Sequence, residues 1–212
     1  ELMQKIELAT SSTFFDQTGR NEGSGRCCKP MRILLEGSCS FDCAYCGVCT
    51  RRNGIHFTPE EMAHGFLSLH EQGKVGGLLI STEIPSGDVD LGMEKLTETA
   101  RLIRAAGFRG YLHLKVLPGA NRSYIAELAG YATRLSINLE APGSSYLVEL
   151  ASVKNYTSDL LPRHKWLAEI MPYRHSTQFV VGAAGETDTD ILQTVATTYE
   201  KYHPARVYYS AF

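Results

Sequence analysis

The sequence predicts an α/β fold, a partial (β/α)6 barrel of parallel strands resembling a shortened TIM barrel. Three observations predict it. From residue 31 onward, strand-like segments alternate with segments of helical periodicity. The strand segments alternate apolar with polar residues, whereas parallel strands covered on both faces read as unbroken apolar runs. A cluster of cysteines directly follows the first strand, at the end where β/α barrels place their chemistry.

The strand segments are 31–36, 77–82, 111–116, 134–139, 177–182 and 206–211. The first barrel helix starts at Thr58, with Pro59 at its first position and Glu61 closing a capping box. Its Met62, Phe66 and Leu69 share a face. The next carries Leu96, Ala100 and Ile103 at the same spacing and ends before Gly107. A short helix covers 124–131, and two pieces separated at Pro162 cover 144–171. The last starts near Thr187, with Asp190 as its box partner, and runs to about Lys201.

The strand patterns give the sheet two unlike faces. Leu112, Leu114 and Val116 alternate with Tyr111, His113 and Lys115. Leu135, Ile137 and Leu139 alternate with Ser136, Asn138 and Glu140. Gln178 opposes Phe179 and Val181, and Tyr208 and Ser210 oppose Val207 and Tyr209. The apolar face meets helices, and the polar face lines the concave side of a curved sheet. An open barrel fits this better than a flat, doubly wound sheet.

Composition excludes several classes. The chain has 212 residues, 43% hydrophobic and 21% charged, with 19 Gly and 8 Pro, so it is neither disordered nor collagen-like. The formal charge of −2 shows no global nucleic-acid footprint. The longest apolar stretches, 75–80 and 179–184, fall far short of the roughly 20 residues a spanning helix needs. No charged segment followed by an apolar core opens the chain, so a cytoplasmic protein without membrane contact is expected. Residues 1–26, rich in Gly, Ser and Asn from 11 to 25, read as a mobile lead-in able to cover the barrel. The core then spans 27–212.

All six cysteines (27, 28, 39, 43, 46 and 49) lie in the first quarter of the chain. Such clustering favours metal or cluster ligation over a disulfide framework. The segment Cys39-Ser40-Phe41-Asp42-Cys43-Ala44-Tyr45-Cys46 spaces three thiols C-x3-C-x2-C. A structural zinc site and an electron-transfer [4Fe–4S] cluster each want four protein ligands. Three leave one iron of a cubane open to a substrate or cofactor. The alternative is a closed four-cysteine zinc or Fe–S module, with Cys49 as the fourth ligand and no catalysis. Cys27 and Cys28 read as small buried residues or unstructured thiols, or as part of a second cluster or redox pair.

The cysteine spacing, with aromatic Tyr45 before the third thiol, resembles the radical S-adenosylmethionine (radical SAM) superfamily. The resemblance implies a [4Fe–4S] cluster on Cys39, Cys43 and Cys46, whose open iron chelates the amino and carboxylate groups of S-adenosylmethionine. Reductive cleavage there yields a 5′-deoxyadenosyl radical that abstracts hydrogen from a substrate. It also implies an electron donor such as flavodoxin or ferredoxin. The family's acid after strand two matches Glu83, preceded here by Ser81-Thr82 where the family often has Gly-Gly. Polar strand-four residues Ser136, Asn138 and Glu140 match its ribose or carboxylate contacts. Val180-Val181-Gly182, with Gly185-Glu186 after it, resembles the family's adenine-side motif. Lys115 is a further cofactor candidate, and Tyr45 and Gly182 fall near the adenine.

A narrower resemblance is carried by residues 112–120, 134–140, 176–183 and 207–211, with Lys5-Ile6-Glu7-Leu8-Ala9-Thr10 at the start. These segments resemble a DNA modification or repair subgroup of radical SAM proteins. That implies nucleic acid as a partner, by analogy only. The subgroup continues into a helix-hairpin-helix-like tail, so this chain is expected to be a fragment or reduced version ending after strand six.

Overall fold

The computed structural model describes residues 2–11, 29–47 and 54–212. Six strands form one sheet: β1 (Pro30–Leu34), β2 (Gly77–Ser81), β3 (Tyr111–Lys115), β4 (Arg134–Ser136), β5 (His175–Val181) and β6 (Arg206–Ala211). Their spatial order is their chain order, and every pairing is parallel. Helix α1 (Leu2–Ser11) precedes the sheet. α2 (Pro59–Glu71), α3 (Val89–Ala105), α4 (Arg122–Tyr131), α5 (Ser144–Leu150), α6 (Leu161–Ile170) and α7 (Asp188–Tyr202) lie in the crossovers. Right-handed crossovers that always step to the next strand put their helices on one side of the sheet. The result is the predicted half-barrel.

Arg32 on β1, Arg134 on β4 and Arg206 on β6 all bear on the hydroxyl of Tyr111 on β3 from the inner face. The outer face buries Met31, Ile33, Leu78, Ile80, Leu112, Leu114, Leu135 and Phe179 against Met62, Phe66, Leu96, Ile103, Ile125, Leu128 and Leu167 of the helices. The inner face carries Arg32, Ser81, His113, Lys115, Arg134, Ser136, Ser176, Gln178 and Tyr208.

The caps written in the sequence form. Thr58 Oγ1 accepts from Glu61 N at 3.1 Å while Thr58 N donates to Glu61 Oε2 at 3.0 Å, and Pro59 occupies the first turn of α2. Thr187 and Asp190 form the equivalent box on α7. Asp88 accepts from Leu91 N at 3.0 Å to start α3.

Three expectations differ from the structure. Residues 2–11 of the expected lead-in form a helix instead. Ile6 and Ala9 are buried, and a Cβ on Gly65 of α2 would come 2.2 Å from the tip of Ile6. The lead-in reading followed the Gly- and Ser-rich composition and overlooked the apolar face of Leu2, Ile6 and Ala9. The remainder, 12–26, lies outside the described residues. Pro162 does not separate two helices. It sits in the first turn of α6, where its missing N–H costs nothing. The break falls at 151–155, where Asn155 Oδ1 accepts from the N–H groups of Thr157 and Ser158 at 2.9 Å to open a π-helical turn, Tyr156–Leu160. Finally, β4 ends at Ser136 rather than at 139. Leu139 N donates to Thr177 Oγ1 at 3.0 Å. A side chain thus takes a donor that a regular ladder would use, and pairing resumes at Glu140.

Candidate active site

The loop after β1 carries the three cysteines and is fixed from both sides. At its base, Leu35 N donates to Ser81 O at 2.9 Å and Phe57 N to Leu35 O at 3.0 Å. Glu36 is buried and pairs with Lys95 of α3 and with His56 at 2.5 Å. Ser40 binds Ile84 O through its N–H at 3.0 Å and its hydroxyl at 2.8 Å. On the far side, Ala44 N donates to Leu150 O at 2.8 Å. Asp42 accepts from Ser152 Oγ at 2.5 Å and Val153 N at 3.5 Å. A short loop held by contacts to β2, α3 and the end of α5 has few conformations left, which preorganises its thiols.

Cys39, Cys43 and Cys46 line one cavity, partly open to solvent, with the ends of β2, β3 and β4. Ser81, Glu83, Lys115, Asn138, Glu140 and Tyr45 line it too. All the sequence-predicted site residues therefore come together except two. Ser136 lies deeper on the inner face, its hydroxyl 2.8 Å from His113 Nε2. Gly182 lies past the end of β5 with φ 83°, and its N–H donates to Glu186 at 2.5 Å. Ala183 and Ala184 also donate to Glu186, so that carboxylate occupies the backbone donors of the Gly182 turn. His113, expected to face the cavity, is satisfied by Ser136 and, at 3.2 Å, by Tyr111 Oη. Cys27, Cys28 and Cys49 lie outside the described residues.

One residue was missed. Lys154, in the 151–155 loop, has a side chain 7% exposed and enters the cavity between Tyr45 and Glu140. Its Nζ donates to Tyr45 Oη at 2.6 Å, stands 5.3 Å from the Tyr45 ring centroid and lies 3.5 Å from Glu140 Oε1. Cys43 is also within its reach. No local pattern marks this lysine, which follows an ordinary Ala-Ser-Val and is brought in by folding.

Charge in the cavity follows from burial and neighbours. Burial pushes the Cys39 thiol up to about 11, and Glu83 adds to the rise. Burial likewise raises Glu83, against the pull of Cys39, Lys115 and Lys154. Burial opposes the charge on Lys154, but Glu140 and Cys43 outweigh it and hold the ammonium above its ordinary value. Tyr45 is held far above the usual phenol range by burial, with Glu140 and Cys43 adding to it. Its hydroxyl therefore stays protonated.

Glu140 adopts φ 65°, a left-handed conformation costly for a side-chain-bearing residue. Its backbone is clamped by Glu140 N to Gln178 O at 2.9 Å and Val180 N to Glu140 O at 2.8 Å. Asn138 Nδ2 donates to Glu140 Oε2 at 3.4 Å.

Among the described residues, no three His, Cys, Asp or Glu side chains converge on a single metal ion. One tetrahedral ion, with bonds of about 2.3 Å, needs its sulfurs nearly touching. Three thiols that each hold a different metal atom of one cluster spread more widely. Three thiols on one loop, facing a cavity that also holds carboxylates and a buried lysine, are a donor set that suits such a cluster and an amino-acid-bearing cofactor.

A family model described as the radical SAM superfamily matches residues 35–197. Among solved structures, the [FeFe]-hydrogenase maturase HydG resembles the chain with a TM-score of 0.68 and 11% identity, over 99% of this chain and 46% of that one. HydG from Carboxydothermus hydrogenoformans gives 0.67 and 12%, over 99% and 47%. At these identities the likeness concerns the fold alone, and the chain spans about half the length of those proteins. No protein of curated function matches the sequence.

Proposed function

This chain belongs to the radical SAM superfamily, and from that premise we propose how its residues serve a radical SAM enzyme. The observation that carries the reading is the meeting of Cys39, Cys43 and Cys46 with Glu83, Lys154, Asn138 and Glu140 in one cavity. The three cysteines would hold a [4Fe–4S] cluster. When bound, that cluster supplies the electron that cleaves S-adenosylmethionine to a 5′-deoxyadenosyl radical. The protein supplies binding, orientation and exclusion of water.

The cofactor ends in an amino acid, which needs an acceptor for its ammonium and a cation for its carboxylate. Glu83, beside Cys39, is the acceptor. Lys154, beside Cys43, is the cation, with Lys115 on the adjoining wall. Asn138 and Glu140 face the place of the ribose hydroxyls, and Ser81 adds a donor at the end of β2. Tyr45, locked by Lys154, and the apolar run Val116-Leu117-Pro118 offer surfaces to the adenine. The family implies a reductant, and flavodoxin or ferredoxin is the donor class proposed. The subgroup resemblance of 112–120 and 134–140 is what favours nucleic acid as substrate. The family match and the fold neighbours add nothing to it.

The test is anaerobic. The protein is reconstituted with iron and sulfide, reduced and given S-adenosylmethionine, and 5′-deoxyadenosine is measured by chromatography. Product from the wild type and none from Cys46→Ala is the expected result. A loaded cluster without product, or zinc in place of iron, overturns the reading.

A further inference from the structure

Deeper on the inner face than the cavity lies a second polar cluster, which the chemistry above uses only at Lys115. Arg32, Leu79, His113 and Arg134 form one register row across β1 to β4. Lys115, Ser136, Ser176 and Arg206 form the next, across β3 to β6. These side chains point away from the helix layer, because the alternate residues Leu112, Leu114 and Leu135 fill that layer. Two tyrosines stand among them. Arg134 Nη1 donates to Tyr208 Oη at 3.5 Å, and the Arg206 guanidinium carbon lies 5.8 Å from the Tyr208 ring. Tyr111 feels Arg134, Arg32 and Arg206 together. The two rows contain no carboxylate. Among the described residues, neither Arg134 nor Arg206 has a carboxylate partner.

We propose that this basic floor binds a phosphoryl group carried by the substrate. Guanidinium groups facing one space repel each other, and a dianion entering that space reverses the sign of the interaction. Their planar forks match phosphate oxygens, and Tyr111 and Tyr208 add hydroxyl donors. A single carboxylate would leave most of the positive charge uncompensated. Along β4, Asn138 at the cavity lies four residues above Arg134, or about 13 Å at 3.3 Å per residue. A substrate reaching from the cavity to Arg134 thus spans about 13 Å, which suits a nucleotide-sized phosphate ester or one unit of a nucleic-acid strand. That the phosphoryl group belongs to a substrate rests on the proposed enzyme reading, but its binding does not.

The experiment is calorimetric titration of the cluster-loaded full chain at low salt with inorganic pyrophosphate, and separately with succinate. Pyrophosphate is expected to bind, and succinate to bind at least about tenfold more weakly. Arg134→Gln and Arg206→Gln should each weaken pyrophosphate by at least about tenfold, the scale of lost charged hydrogen bonds. Arg206→Lys should weaken it less. Arg206 is exposed on an edge strand, so its variants test the proposal even where Arg134→Gln fails to fold. Iron content and S-adenosylmethionine binding should not change in the Arg206 variants, which separates this proposal's failure from that of the enzyme reading. Displacement of pyrophosphate by thymidine 5′-monophosphate identifies a terminal phosphate as the source. Displacement instead by an oligothymidylate without terminal phosphates identifies a backbone diester. No pyrophosphate binding, equal binding of succinate, or an unchanged affinity in Arg206→Gln overturns the proposal.

Discussion

Replacing Lys154 with Met isolates the buried ion pair at the heart of the cavity. Met matches the stem of the lysine and removes its charge, its hydrogen bond to Tyr45 and its 3.5 Å contact with Glu140. Glu140 then remains 7% exposed with its paired cation gone, and keeps only neutral partners, Asn138 Nδ2 at 3.4 Å and the Tyr45 hydroxyl. Breaking one side of a buried pair costs about 3–5 kcal/mol, because the orphaned charge keeps its desolvation penalty. In a domain of this size that lowers the melting temperature by about 6–20 °C. The assay is thermal unfolding of cluster-free protein, so that lost ligand binding does not enter. The double variant Lys154→Met/Glu140→Gln removes both charges and should recover at least about 2 kcal/mol relative to Lys154→Met. A Lys154→Met protein within about 1 kcal/mol of wild type, or a double variant less stable than the single, would refute the reasoning.

Acid should weaken the fold before the carboxylates titrate. Burial pushes His113 down to about 3, with Arg134, Lys115 and Arg32 adding to it, and burial does the same to His164 beside His175. Below pH 6.5 the unfolded chain takes up protons that these folded imidazoles refuse, so stability is full above 6.5 and falls as the pH drops toward 3. At pH 5 each costs about 2 kcal/mol, from 1.5 units at 1.36 kcal/mol each. Urea midpoints at pH 7 and pH 5 measure it, and His164→Phe should remove about 2 kcal/mol of the difference. An equal pH dependence in that variant counts against the argument. Asp42→Ala cuts the tie between the cysteine loop and residues 152–153. On an exposed residue this should cost only about 0.5–1.5 kcal/mol, yet slow iron–sulfur loading by freeing the loop. Unfolding curves read the first effect, and iron uptake against time reads the second. Unchanged uptake would mean that the ties at Ser40 and Ala44 suffice.

The half-barrel is legible along the chain because it is written in local signals. Capping boxes at Thr58 and Thr187 mark helix starts, the two-residue alternation separates the sheet faces, and the spacing of Cys39, Cys43 and Cys46 sets the ligand loop. Local composition misled where tertiary contacts were decisive. Gly- and Ser-rich neighbours concealed the short helix of Leu2–Ser11, which packs on Gly65. Pro162 looked like a breaker although it starts a helix.

Which polar residues share a space depends on the folded chain. Lys154 carries no mark in the chain; the break at 151–155 delivers it to Tyr45 and Glu140. Ser136 and His113 looked like cavity residues and instead satisfy each other. Arg32, Arg134 and Arg206 sit on strands one, four and six, and all act on Tyr111 of strand three. The difference is one of range. Caps and periodicity act over a few residues and are readable in order, whereas ion pairs and fields act through space and depend on crossovers that no local pattern encodes.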